Sequence, residues 1–413
     1  LNSEKKKFSI GMYLFNIFTM SFLLSISAIN GSIAQDTGYV IDPEKLEALR
    51  QEAERTNSDA VVIYRHNTLI AEWYFEKEPK AIETMSAYKS IVSLAIGRLL
   101  TQQLIDSLDQ PVYTLYPEWN QGQKKQITIR HLLNHTSGLQ NVANAGAEIY
   151  PAPDAIRLGL AAELDSEPGT RFAYNNKAVN LLSGIILKAS GMKLDEYLKQ
   201  EFFSRMDIEE YKFYYDQAGN PHAMAGLQLH ALDVAKFGLM VLNEGIWNGE
   251  QIIDPEYIRM MLTPGQELYP FSGLLWWLLP EYSYYVIDEN RLYEFRRKGI
   301  PGQIIDKLKP VTGKRFETIQ QRNQAKSELL GNDWTDIRNG YFKPAGFDQI
   351  FHYEYGEIKA WYADGYLGQF IVVVPETGIV AVRQIANFDG FDFGKDNFTH
   401  FRNLILELVS DPF

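Results

Sequence analysis

The sequence predicts an α/β (α+β) fold in which strands from both ends of the chain form one sheet and a run of helices is inserted between them. Three observations predict it. Apolar, β-branched runs bounded by turn residues fall early, at 59–64 and 68–75. The same signal returns late, at 274–279, 370–374 and 379–384. Between them, residues 105–265 carry apolar positions mostly at helical spacing.

Taken in order, 43–56 reads as a helix, and the two early strands meet at His66-Asn67, a turn-type pair. From Ser86 to about Leu100, Ile91, Leu94, Ala95 and Leu99 recur at helical spacing, so Ser86 opens a helix. The middle holds helices at 129–133, 176–190 closing on Gly191, 194–203, and 231–243 closing on Gly245. Pro375 to Gly378 is a turn between the last two strands, and 397–409 is a closing helix. Residues 281–356 fit neither period and read as an insertion or lid. The expected organisation is therefore a sheet lobe from 35–104 and 266–413, with 281–356 inserted, and a helical lobe from 105–265.

The composition, 46% hydrophobic and 22% charged, is that of a globular protein. A formal charge of −12 argues against a nucleic-acid or anionic-membrane partner. The absence of cysteine excludes disulfides, thiolate metal sites and cysteine nucleophiles. Lys5-Lys6-Lys7, an apolar run over 8–28, and small residues Ser32 and Ala34 form a secretory signal layout over 1–34. Cleavage before Gln35 would leave a secreted or periplasmic protein free of the membrane; an uncleaved anchor is the alternative, because the apolar run is long.

A serine hydroxyl becomes a useful nucleophile when a base removes its proton, and a lysine three residues on lies on the same helix face. Ser86 and Lys89 have that spacing, as do Ser3/Lys6 and Ser190/Lys193. The first of these others falls in the signal segment. Ser190 stands at the Gly191 end of a helix, where the dipole disfavours a developing oxyanion. Ser86 faces the positive end instead. A plain N-cap at Ser86 with a solvated Lys89 is the structural alternative. A second element, Tyr174-Asn175-Asn176, lies just before a helix. A phenol there can relay a proton and an amide can hold a substrate carbonyl; alternatively Tyr174 packs and Asn176 caps the helix.

Together these motifs resemble the serine beta-lactamase-like superfamily, which includes class C beta-lactamases, D-Ala-D-Ala carboxypeptidases, esterases, D-aminopeptidases and 6-aminohexanoate-dimer hydrolases. The likeness extends through ITIRHLLNHTSGL at 127–139, EPGTRFAYNN at 167–176, LHALDVAKFGLMVLNEG at 229–245, GLLWW at 273–277 and YADGYLGQ at 362–369. It implies a beta-lactamase/transpeptidase-like fold: a mainly antiparallel sheet flanked by helices, an all-helical lobe, and an active site between them. It further implies that Ser86 is acylated, that Lys89 is the general base, that Tyr174 is base or proton shuttle, and that Asn176 contacts substrate. The oxyanion hole would be the backbone N–H groups of Ser86 and of Tyr366, on the strand after the third motif. His131 and His135 read as structural, and no metal or cofactor is implied.

The third motif departs from the pattern. Where the family usually has a Lys or His followed by Ser/Thr and Gly, this chain has Ala363-Asp364-Gly365. The cation that holds a substrate carboxylate is missing, which favours the esterase, aminopeptidase or amide-hydrolase branches. Asp364 would favour an amine near the scissile bond, or else face solvent by strand alternation. The expected function is an exported serine hydrolase acting on a small-molecule ester or amide. A true beta-lactamase or D-Ala-D-Ala carboxypeptidase, a non-catalytic envelope binding protein and a membrane-anchored sensor are the competing readings.

Overall fold

The computed structural model describes residues 39–410 apart from Ala143; the predicted signal segment lies outside the described residues. Helix α1 (Pro43–Arg55) starts at Asp42, whose carboxylate accepts from the Glu44 and Lys45 amides. Strands β1 (Ala60–Arg65) and β2 (Thr68–Trp73) follow as a hairpin. After α2 (Tyr88–Thr101) come α3 (Asn176–Ser190) and α4 (Ala231–Leu242). Strand β3 (Trp277–Pro280) opens the C-terminal half, and β4 (Ser283–Val286) and β5 (His352–Tyr355) pair as a separate ribbon. Strands β6 (Ile358–Gly365), β7 (Gln369–Val374) and β8 (Ile379–Gln384) lead to α5 (Phe401–Leu406).

Six of these strands form one sheet in the order β2-β1-β8-β7-β6-β3, with every neighbouring pair antiparallel. The first hairpin thus pairs directly with the last, as β1 lies along β8 from Ala60↔Gln384 to Arg65↔Ile379. Both faces are covered, so β7 and β8 are apolar almost without alternation. Val61, Ile63, Val372 and Ala381 pack with Leu49 of α1 and Phe401 of α5 on one side. Val62, Ile371, Val380 and Val382 join the larger core on the other. Each such Val or Ile contributes about 1.5–3 kcal/mol relative to exposure.

Helix α4 lies flat on that second face. A Cβ at Gly238 would come within 2.6 Å of Val380 Cγ1 and 3.1 Å of Ile371 Cγ2, so the close approach requires glycine. The span 105–265 therefore includes one helix that belongs to the sheet packing. Helix α2 runs through the larger core and is buried nearly all round, including Lys89, Ser90 and Ser93. It is preceded by a single 3₁₀ turn, Met85–Ala87, so Ser86 stands on that turn and the α-helix proper begins two residues later.

The inserted segment between β3 and β6 has its own core of Ile287, Leu292, Phe295, Leu308, Phe342 and Phe347. Its helices bury few residues each, only Ala325 and Leu330 in the 12-residue helix Ile319–Leu330, so no sustained apolar period marked them in the sequence.

Candidate active site

The turn carrying Ser86 is held from both ends. Thr84 donates its backbone N–H and its hydroxyl to Leu227 O, both at 2.9 Å, and Ala87 N–H closes the turn on Thr84 O at 3.1 Å. Met85 takes φ +50°, a left-handed conformation that a non-glycine residue adopts at a cost and that is concentrated at functional sites. The next residue, Ser86, is thereby presented at the mouth of α2.

One turn on, Lys89 is 3% exposed, and its Nζ stands 2.7 Å from Ser86 Oγ. Its other contact is Met224 O, at 2.5 Å. The Met224 carbonyl is itself fixed, since Asn180 Oδ1 accepts from the Ala223 and Met224 amides at 2.9 and 3.2 Å. Among the described residues no carboxylate forms an ion pair with Lys89, and burial alone pulls its pKa from 10.5 to about 7.

Tyr174 joins the same cleft. Burial pushes its phenol up to about 12, a rise that its hydrogen bond with Ser86 partly offsets and nearby Asp364 reinforces. Lys89 Nζ lies 5.1 Å from the Tyr174 ring centre. On its other sides the ring meets His135 at 4.6 Å and stacks on Trp277 at 6.2 Å. Asn141 Nδ2 donates to the Tyr174 carbonyl at 2.9 Å. His135 Nδ1 accepts from Asn175 N–H at 3.2 Å, and burial holds its pKa near 3, so it is a neutral, fixed imidazole. His131 caps its own short helix, accepting from Thr128 N–H at 3.2 Å.

Of the residues singled out in the sequence, the structure brings Ser86, Lys89, Tyr174 and Asp364 around one cleft, together with His135 and Trp277. Asp364 is half-buried there rather than turned to solvent, and desolvation raises its pKa against the opposing pull of Arg402. Asn176 is the first residue of α3 and is not on the cleft wall; its buried Oδ1 has no hydrogen-bond partner among the described residues. The helix cap is Asn175, not Asn176: Asn175 Oδ1 accepts from Ala178 N–H at 3.1 Å, and its Nδ2 donates to Leu139 O at 2.8 Å. Gly365 packs directly on the nucleophile turn, where a Cβ would fall 2.6 Å from Thr84 O and 3.1 Å from Ala87 N. Tyr366 is in the turn after β6, not on a strand, and its ring is 60% exposed. Sequence reasoning missed Met224, Asn180 and Trp277; only Trp277 had a signal, the GLLWW run.

Chemically, the cleft offers a hydroxyl, an amine whose pKa burial brings to about 7, and a phenol hydrogen-bonded to that hydroxyl. A match to the family model described as Beta-lactamase extends over residues 44–272. An uncharacterised protein of Alkalihalophilus pseudofirmus is 26% identical over 53% of this chain and 70% of its own length. A 6-aminohexanoate-dimer hydrolase of Paenarthrobacter ureafaciens is 25% identical over 54% of this chain and 61% of its own length. In fold, the chain is similar to the octameric penicillin-binding protein homologue from Pyrococcus abyssi, with a TM-score of 0.57 at 18% identity, covering 88% of this chain and 77% of that one. With more than half of its length matched to the family model, and with the antiparallel sheet and helices of the beta-lactamase/transpeptidase-like fold, the chain belongs to the Beta-lactamase family.

Proposed function

We propose that this protein is an exported serine hydrolase that cleaves an ester or amide through an acyl-Ser86 intermediate. The observation that carries the reading is the desolvated Lys89 amine 2.7 Å from Ser86 Oγ, with no ion-paired carboxylate among the described residues. In its neutral form Lys89 takes the Ser86 proton as Oγ attacks the substrate carbonyl. The oxyanion forms at the N-terminal end of α2, where the backbone N–H groups of Ser86 and Tyr366 are the donors. Collapse of the tetrahedral species breaks the bond to the leaving group, which takes a proton from the Tyr174 phenol; Tyr174 is then reprotonated from Lys89. A pKa near 12 suits Tyr174 to donation, whereas a pKa near 7 suits Lys89 to abstraction. Water then attacks the acyl-enzyme with the same base, releasing the acid and restoring Ser86. The substrate role that the family resemblance implies for Asn176 would require a movement, since its side chain is off the cleft wall and its Oδ1 is buried without a partner among the described residues. Export rests on the charged and apolar layout of residues 1–34.

Ala363 occupies the place of the third-motif cation and is fully buried, and Asp364 adds negative charge to the cleft. This favours ester and amide substrates over carboxylate-bearing beta-lactams or D-Ala-D-Ala termini. A fluorophosphonate should label wild type at Ser86, seen by peptide mass spectrometry, and p-nitrophenyl acetate hydrolysis should fall at least 1,000-fold in Ser86→Ala. Unlabelled Ser86, or turnover preserved in Ser86→Ala, would refute the reading.

A further inference from the structure

Aromatic rings continue outward from the cleft. Trp277, stacked on Tyr174, meets Tyr269 edge-on at 6.2 Å, and Tyr269 stacks on Phe172 at 4.8 Å. Tyr269 and Phe271 both meet Tyr353 edge-on, at 5.8 and 4.9 Å. Tyr353 is carried by β5, on the ribbon that belongs to the insertion, so the core and the insertion each supply part of one surface. Phe271 is buried, while Phe172, Tyr269, Trp277 and Tyr353 are only half-buried. The half-buried rings leave part of their area open, and Trp277 joins them to the cleft that holds Ser86.

The charges near this wall are opposed by one another or laid over aromatic rings. Arg171, next to Phe172, is opposed by Asp348 of the insertion at 4.0 Å, and Arg322 lies over the Tyr285 ring at 4.6 Å. Within the cleft the carboxylate is Asp364, and it is opposed by Arg402, which lies over the Tyr362 ring at 4.4 Å. A flat, uncharged ring is the group that such a surface binds best, by stacking and edge contacts.

We propose that Trp277, Tyr269 and Tyr353 form a subsite for an aryl group on a neutral ester or amide, with Tyr353 a specificity-determining residue delivered by the insertion. This rests on the acyl-Ser86 reading. The test compares methyl acetate, benzyl acetate and methyl phenylacetate by pH-stat in wild type, Tyr353→Leu, Tyr353→Ala and Ser86→Ala. The two aryl esters place the ring on the leaving-group side and on the acyl side in turn. For at least one of them, kcat/KM should exceed that for methyl acetate about tenfold or more, and both Tyr353 variants should cut that ratio about fivefold or more. Fluorophosphonate labelling of Ser86 reports whether each variant is folded; if Tyr353→Ala fails to label, Tyr353→Leu decides. No aryl preference in wild type, or a ratio unmoved in the labelled variants, overturns the subsite while Ser86-dependent turnover leaves the hydrolase reading intact. Turnover that survives Ser86→Ala overturns both.

Discussion

In the proposed mechanism Lys89 is the general base, and its environment sets a pH dependence. His135 is neutral because burial holds its pKa near 3, and Tyr174 stays protonated because burial lifts its pKa to about 12. Burial raises the Asp364 carboxyl above the ordinary carboxylate range, against the opposing pull of Arg402. The group in the cleft that changes charge near neutrality is Lys89, at about 7. A base must be neutral to act, so kcat/KM for a neutral ester should rise with pH through about 7 and level above it; a profile flat from pH 6 to 8 would exclude Lys89 as base. The same shift has a cost in stability. The folded pKa of about 7 lies below the ordinary 10.5, so between these values the unfolded chain holds a proton that the folded chain lacks, and stability rises with pH across that window. Lys89→Met should therefore be inactive yet more stable at pH 6, by about 1–2 kcal/mol in urea denaturation, with the gap narrowing from pH 7 to 10. The Ser86–Lys89 spacing was legible because it is local. The amine's desolvation was not, because Met224 and Asn180, which surround and fix its second contact, come from more than 90 residues away in sequence.

Among the elements, the β6–β7 turn that carries Tyr366 is fixed by a buried cation. Arg383 of β8 is fully buried, and its guanidinium donates to Leu367 O and Gly368 O at 3.0 and 2.8 Å. Its remaining N–H groups reach Thr56 O, Asp396 O and Ser58 Oγ, at 2.9, 2.7 and 2.9 Å. Gln369 adds a two-way bond to the Ile385 backbone, at 2.5 and 3.2 Å. These contacts explain the Gly-x-x-Gly-Gln run, which the sequence marked only as a family landmark: its partners lie on β8 and in the loop after it, beyond the reach of any local pattern. At the other end of the turn Gly365 presses on the nucleophile turn. Gly365→Ala should separate β6 from Ala87 and misplace the Tyr366 donor, lowering kcat about 100-fold or more with little change in KM. Equal losses in kcat/KM through KM alone would remove Tyr366 from the oxyanion hole. Arg383→Met would leave several carbonyls unpaired, a loss of about 3 kcal/mol or more, so a melting temperature within 2 °C of wild type would contradict this assignment.

At the scale of the whole molecule, the paired ends of the chain were the most legible feature. Strand runs at 59–64 and 379–384 were strong enough to predict one sheet, and they are β1 and β8, hydrogen-bonded side by side. Helices stand where the sequence placed them at 129–133, 176–190, 194–203 and 231–243, to within two residues, but the same span also holds short strands at 212–213 and 227–229, and α4 packs on the sheet through Gly238, a tertiary choice that periodicity does not encode. The insertion was recognised by its lack of period alone. Its structure shows why it can be treated as a unit: the buried side chains from Ile287 to Phe351 pack on one another, and the segment is attached through the β4–β5 ribbon. Val286 and His352 stand opposite each other at the end of that ribbon, so residues 287–351 can be replaced by a two-residue Asn-Gly turn that keeps the pairing. Excision removes the buried cluster as a whole; it also takes the Phe316 backbone pairing and the Arg322 guanidinium from Tyr285, and Arg315 from Tyr284 and Glu354, so those ribbon residues and the area around Arg171 are newly exposed. The shortened protein should fold with a melting temperature within about 5 °C of wild type and be labelled at Ser86 by a fluorophosphonate to the same stoichiometry. Insoluble or unlabelled protein would mean instead that the sheet lobe needs the insertion to fold.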